Sequence, residues 1–303
     1  MPGARPASIL LACLVLSMSA PSLDSRADEL PSSSPAPAAV PARRIVSMNP
    51  SLTSILVTLD AADALVGVEE HAARVHAELA SLPVVGGLFN PSLEAVVALE
   101  PDLVILVPSV EQRDFRTRLE ALGIEVLSLP NISVEEILAS IEILGARVDR
   151  EARARERVAA IRSAFETTRS LTSAAEPLRT IVVLQRDPLY VVGRGSFIDQ
   201  MIEASGGSNV AAGFVEPYPR VDVEWLVGAA PEVILDATAD PPDAAAYWSR
   251  WPSIPAVANG RAISLPRTAT FPGPDIDRSL RSVAERIHPQ LPRVGLAADD
   301  PRP

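Results

Sequence analysis

Short runs of consecutive apolar residues alternate along this chain with longer stretches in which apolar positions recur every three or four residues. Arg44–Ser47 and Leu65–Val68 are short and rich in β-branched residues, Leu103–Val107 (LVILV) is apolar throughout, and Glu125–Leu129 and Thr180–Leu184 repeat the pattern. Short apolar runs without alternation predict strands covered on both faces, as in parallel sheets. Between them lie helix signals. Asn49-Pro50 supplies a cap followed by proline at the first helical position. Ser92–Leu99 reads as a capped helix, and Glu111–Leu122 reads as another. Ser133-Val134-Glu135-Glu136 is a capping box. It opens a long helical region that reaches about Leu171, with a break at Gly145–Asp149. The second half of that region places Glu151, Arg153, Arg155, Glu156 and Arg157 on solvated faces and Val158, Ile161 and Phe165 on one apolar stripe.

Strands alternating with helices predict an α/β fold with mainly parallel sheets. A long helix between two such units predicts two lobes joined by one connecting helix. An internal echo supports that division. Residues 92–105 (SLEAVVALEPDLVI) and 222–235 (DVEWLVGAAPEVIL) match at a constant offset of 130, aligning Ser92 with Asp222, Glu94 with Glu224, Pro101 with Pro231 and Asp102 with Glu232. Val126–Pro130 (VLSLP) and Ala262–Pro266 (AISLP) echo each other in the same order at an offset of 136. One recurrence of helix, proline-acid and strand is a common α/β phrase; two in the same order predict duplicated lobes. The expected boundaries are an N-terminal lobe at 42–149, a connecting helix at 150–172 and a C-terminal lobe at 173–290. Residues 28–41 form a Pro/Ser/Ala-rich linker and 291–303 an unstructured tail.

The first 27 residues change the compartment. Arg5 provides a positive start, Ile9–Leu16 an apolar stretch too short to span a bilayer, and Ser25-Arg26-Ala27 small residues at a cleavage site. This reads as a signal peptide for export to the periplasm. Leu10-Leu11-Ala12-Cys13 also resembles a lipobox, which would leave a lipid anchor on Cys13. Only twelve residues precede the cysteine and apolar sequence continues after it, which favours simple cleavage. With Cys13 the only cysteine, no intrachain disulfide forms. The net charge is −11, and removing residues 1–27 takes it to −12. That balance argues against nucleic acid as a partner. All basic residues are arginine, a bias that carries no functional meaning here.

In open parallel sheets, ligands bind beyond the carboxyl ends of the strands, so the cleft between two such lobes is the expected site. The loops that follow strands hold the aromatics without an obvious core position: Phe89, Tyr190, Phe214, Tyr218 and Phe271. Stiff aromatics at a cleft mouth suit a large, flat or partly apolar ligand. Catalytic constellations are weak. No G-x-S-x-G elbow occurs, and Gly193-Arg194-Gly195-Ser196-Phe197 completes neither that motif nor a dinucleotide fingerprint. His71 and His76 are five residues apart and off a common helical face, and His288-Pro289 reads as a helix end. No metal site is therefore expected, nor a cofactor, and the chain reads as a binding protein rather than an enzyme. Glu94 and Glu224 each fall in the first turn of a helix, where the dipole favours an acid without any function. At equivalent places in two lobes they could instead present two carboxylates to arginines of a symmetric partner.

Several segments resemble a known family. Arg44–Leu56 (RIVSMNPSLTSIL), Leu65–Val68, Asn90–Val104 (NPSLEAVVALEPDLV) and Leu122–Val126 are similar to the cobalamin and ferric-siderophore branch of periplasmic binding proteins. Pro188–Phe197, Gly206–Val210, Trp248–Gly260 and Phe271-Pro-Gly-Pro continue the match, so that it covers roughly residues 42–290. The resemblance implies two α/β lobes on a long, fairly rigid helix. It also implies delivery of a bulky ligand (cobalamin, haem or a ferric siderophore) to a dimeric ABC permease driven by cytoplasmic ATPases. The binding protein is expected to be a monomer. The resemblance carries permease docking onto Glu94 and Glu224 and ligand contacts onto Tyr218 and Phe89. Tyr190 or Tyr218 would serve a haem iron. Arg186, Arg194, Arg220 and Arg267 would serve a siderophore, and Phe271 joins the cleft aromatics. Two positions depart from the family pattern: Glu69-Glu70-His71 stands where a tyrosine is expected, and Pro108-Ser109 where a tryptophan is.

Overall fold

The computed structural model describes residues 40–87, 90–109, 112–238 and 243–290. The export signal with Cys13 and the tail at 291–303 lie outside the described residues. The first lobe comprises β1 (Ile45–Ser47), α1 (Pro50–Thr58), β2 (Leu65–Val68), α2 (Glu70–Val75), α3 (Leu93–Ala98), β3 (Leu103–Leu106), α4 (Arg113–Ala121), β4 (Glu125–Ser128) and α5 (Val134–Arg147). The long helix α6 (Glu151–Thr172) follows. The second lobe comprises β5 (Leu178–Arg186), β6 (Leu189–Val191), α7 (Phe197–Ala204), β7 (Gly207–Asn209) and α8 (Val223–Ala229). It continues with β8 (Val233–Asp236), α9 (Ala244–Trp248), α10 (Pro255–Ala258), β9 (Ala262–Ser264) and α11 (Ile276–Ile287). Strands of the first lobe run in the order β2-β1-β3-β4, all parallel. Those of the second run β6-β5-β8-β9, with β7 also on β5; only β6 is antiparallel. The protein therefore has the expected α/β class: two lobes with mainly parallel sheets and one long helix between them.

The internal echo is a structural repeat down to strand register. Val104 pairs with Val126, Ile105 with Leu127 and Leu106 with Ser128. In the second lobe Ile234 pairs with Ala262, Leu235 with Ile263 and Asp236 with Ser264, the same three pairs displaced by the two sequence offsets. The connections into β3 and β8 match as well. Glu100 and Ala230 both take positive φ, at 45° and 43°, as the chain leaves the preceding helix. Arg44 donates from Nη2 to Leu99 O at 2.5 Å and from Nε to Glu100 O at 3.0 Å. Arg179 donates from Nη2 to Ala229 O at 2.5 Å and from Nε to Ala230 O at 3.4 Å. Each arginine thus satisfies carbonyls left over at a helix C-terminus, where a cation also complements the dipole. Asp102 and Glu232 accept from the backbone N–H groups of Arg44 and Arg179. Because both arginines are exposed, Arg44→Ala and Arg179→Ala should each cost about 1 kcal/mol. The double variant should lose the sum, since the sites are in different lobes. Urea unfolding midpoints of the four proteins check this.

Helix ends follow their local sequence. Asn49 Oδ1 accepts from Ser51 N at 3.0 Å, with Pro50 at the first helical position. Ser133 and Glu136 close the capping box. The break between the two long helices contains Asp149 at φ 56°. Gly145 sits where α5 and α6 meet, and a Cβ there would overlap that of Ala154. The stripe Val158, Ile161 and Phe165 is buried, and it joins one apolar cluster with Ile137, Ile141 and Leu144 of α5, Phe197 and Met201 of α7 and Leu280 and Val283 of α11. Fully burying a side chain such as Phe197 contributes roughly 1.5–3 kcal/mol. Polar bonds reinforce the same seam. Phe197 N donates to Ile132 O at 2.6 Å, and Val134 N donates to Gln200 Oε1 at 2.7 Å. Arg157 pairs with Asp277 and donates to Pro274 O at 2.6 Å.

The second lobe holds two short strands that the sequence pattern does not predict. Residues 186–190 do not form an open loop: β5 runs on through Arg186, turns at Asp187-Pro188 and pairs antiparallel with β6. Three residues, Leu189-Tyr190-Val191, are too few to show a period. β7, Gly207-Ser208-Asn209, has no apolar residue to mark it and owes its place to pairing with β5.

Candidate functional site

The strands deliver a set of loops and helix starts at their carboxyl ends, and three groupings stand out there. The first joins the lobes. β2 leads directly into α2, whose N-terminus is capped by Glu69. That carboxylate is buried and accepts from His71 N at 2.7 Å and Ala72 N at 2.5 Å. His71 is thereby held at a fixed start point, and its ring lies 5.8 Å from that of Phe271, tilted by 54°. Phe271 ends the short turn Arg267–Thr270 that follows β9 in the other lobe, and the Arg267 guanidinium lies 6.0 Å from its ring centre. Phe271 keeps 41% of its surface exposed, although it touches the opposite lobe. Asn131 Nδ2 donates to Ser51 Oγ at 2.5 Å, tying the loop after β4 to the first turn of α1.

The second grouping contains both expected tyrosines. Val191 N donates to Pro219 O and Val221 N to Leu189 O, so residues 217–221 line up along β6 and place Tyr190 opposite Arg220. Tyr190 is exposed, at 36%. Tyr218 is partly buried against the inter-lobe cluster. Burial first, and then the Glu136 carboxylate across the lobes, pushes its phenol up to about 12. Beyond Arg220 a cavity of about 430 Å³ is lined by Phe214, Arg220, Val221, Asp222 and Trp225. Phe214 and Trp225 meet edge to face at 5.1 Å.

The third grouping is buried, and little in the sequence announces it. Asp236 ends β8 at the place Leu106 holds in the first lobe, and it is 1% exposed. Its carboxylate accepts from Arg186 Nε at 2.9 Å, Trp248 Nε1 at 2.7 Å, and Thr238 N and Oγ1 at 3.1 and 2.6 Å. The Arg186 and Arg250 guanidinium groups lie 4.1 and 4.2 Å from the centre of the Tyr247 ring, beside Trp248 and Trp251. Arg186 is therefore committed to a structural pair, with its Nη2 buried and unpartnered among the described residues. The one signal in the sequence was an acid ending a strand whose echo is wholly apolar.

Glu94 and Glu224 are both exposed in first helical turns. Ser92 Oγ accepts from Ala95 N at 3.2 Å, and Asp222 Oδ1 accepts from Trp225 N at 2.7 Å, so the two carboxylates project from equivalent capped helices. Phe89, the remaining expected contact, lies outside the described residues. A Ser–His–acid line does occur on the first lobe: Ser54 Oγ is 2.9 Å from His76 Nε2, whose Nδ1 is 3.8 Å from Glu78. Ser54 Oγ also lies 2.9 Å from Pro50 O, so its single proton has two acceptors within reach.

Similar proteins place these features in context. The chain is 26% identical over 226 residues to the vitamin B12-binding protein of Vibrio parahaemolyticus, covering 74% of this chain and 82% of the relative. It is 33% identical over 217 residues to the cobalamin-binding protein of Halobacterium salinarum, covering 65% of this chain and 56% of the relative. The crystal structure of the periplasmic vitamin B12 binding protein of Vibrio cholerae superposes with a TM-score of 0.72 at 24% identity, covering 82% of this chain and 97% of that one. Residues 45–269, most of the described chain, match the periplasmic binding protein family, and the protein belongs to that family.

Proposed function

We propose that this protein captures cobalamin, or a closely related bulky metal chelate, between its lobes and delivers it to an ABC importer. The observation that carries this reading is that relatives named for vitamin B12 or cobalamin match 74% and 65% of this chain, while the family match at residues 45–269 spans both halves of the internal repeat. The aromatics Tyr190, Tyr218 and Phe271 of the second lobe suit a large, partly apolar ligand. Of the two tyrosines, the exposed Tyr190 would suit a haem iron better than Tyr218. A tyrosine that ligates ferric iron does so as phenolate, and burial together with Glu136 holds Tyr218 as phenol. The protein works without catalysis in this reading: it binds and releases its ligand unchanged. It acts in the periplasm once residues 1–27 are removed, as a 42–149 lobe and a 173–290 lobe on the 150–172 helix. Glu94 and Glu224 dock one lobe to each subunit of a dimeric permease. Tyr190, Tyr218, Phe271 and Arg267 contact the ligand. The bonds across the α5–α7 seam favour small closure movements.

Incubating the purified protein with cobalamin, haemin and ferric siderophores in parallel, desalting and recording absorption spectra tests the ligand. Cobalamin bands should co-elute with protein in near-equal amounts. Retention of haemin or a siderophore alone would reassign the cargo, and retention of none would remove the reading.

A further inference from the structure

Of the three histidines, His76 is engaged with Ser54 and His288 is buried with its Nε2 3.2 Å from Gly206 O. His71 differs. It is exposed, and among the described residues no hydrogen bond or ion pair reaches its ring; its one ring contact is Phe271 of the other lobe. A free imidazole on a pinned backbone, facing an aromatic ring across the inter-lobe seam, is a nitrogen donor at the place where a ligand would enter. Neutral imidazole is the commonest metal-binding side chain. No group of three or more His, Cys, Asp or Glu side chains suited to a metal occurs among the described residues. A corrin ring needs none, because it supplies four nitrogens and leaves only axial positions open.

We infer that His71 supplies an axial nitrogen to the cobalt of corrinoids that carry an exchangeable water, so that the cargo includes incomplete corrinoids of the cobinamide type. This rests on the cobalamin reading above. The step is a ligand substitution. Water leaves cobalt(III), the imidazole lone pair takes its place, and neither the oxidation state nor the total charge changes. His71 and Phe271 part to admit the macrocycle, leaving the imidazole on its metal-facing side and Phe271 against its conjugated face. Arg267, beside Phe271, reaches amide oxygens at the rim.

Diaquacobinamide and cyanocobalamin separate the possibilities, because cyanocobalamin has both axial positions occupied by cyanide and its tethered base. The wild-type protein should retain both corrinoids after desalting, and bound diaquacobinamide should show shifted visible bands. His71→Ala and His71→Gln should bind diaquacobinamide at least tenfold more weakly, with the bands of the free compound. Their cyanocobalamin affinity should stay within about threefold of wild type. His76→Ala, on the same lobe, should keep the shift. Diaquacobinamide retained without a band shift, a shift that survives in the His71 variants, or retention of cyanocobalamin alone would each overturn the inference while leaving the cobalamin reading intact. Retention of neither corrinoid would remove both.

Discussion

Asp236→Ala is expected to lower the melting midpoint by about 6–12 °C, taking about 3 kcal/mol at roughly 2–4 °C per kcal/mol for a chain of this size. Asp236 is 1% exposed and its carboxylate accepts hydrogen bonds from Arg186, Trp248 and Thr238. Alanine would strand the Arg186 cation and orphan the indole N–H of a fully buried tryptophan. Breaking a buried pair costs about 3–5 kcal/mol, and the lower end applies because the Arg186 side chain keeps 20% of its surface in solvent. Against a total stability of about 5–15 kcal/mol this is a large fraction. Asp236→Asn, which keeps an acceptor but loses the charge, should fall between wild type and Asp236→Ala. The Arg186→Ala/Asp236→Ala double variant should lose less than the sum of the singles, because the second change removes a charge already left alone. Calorimetry on the four variants and wild type decides it; strictly additive losses would mean the pair is not coupled.

Glu94→Ala with Glu224→Ala is expected to nearly abolish transport while ligand affinity stays within about twofold. The carboxylates are exposed at matching positions of the repeat and take no part in the inter-lobe contacts. In the free protein their loss removes only a few tenths to about 1 kcal/mol of helix-end stabilisation. At a permease interface each desolvated carboxylate would face arginine, and losing one partner there costs roughly 2–5 kcal/mol. Either single variant should therefore weaken permease association more than tenfold. Ligand retention, melting curves and uptake by cells or reconstituted vesicles separate the outcomes. Normal uptake by the double variant would reduce both residues to helix-terminal charges, and loss of ligand would place them in the cleft rather than on the docking face.

These two sites differ in how far the sequence foretells them. Glu94 and Glu224 were legible because helix caps, first-turn acids and the proline-acid step into a strand are local: each depends on residues within a few positions. Repeated at one offset, they also announced the duplicated lobe, and β3–β4 and β8–β9 register followed the same offsets. The long helices were equally plain, since their apolar period persists for several turns and Ser133 marks the start of the first, although α5 runs through Gly145 to Arg147 before the break at Asp149. The Asp236 cluster and the His71–Phe271 contact were not legible. Arg186 and Asp236 are separated by 50 residues, and His71 and Phe271 by 200. Such partners meet only after two sheets have chosen their strand order and α5, α6, α7 and α11 have packed the lobes together. An arginine in a strand-end segment looks the same whether it awaits a ligand or is held by a buried acid. The local chain determined where helices and strands begin and that the lobe is repeated. Only the tertiary packing decided which charges are buried as pairs and which histidine is left facing the other lobe, because burial and partner choice depend on surfaces contributed by distant segments.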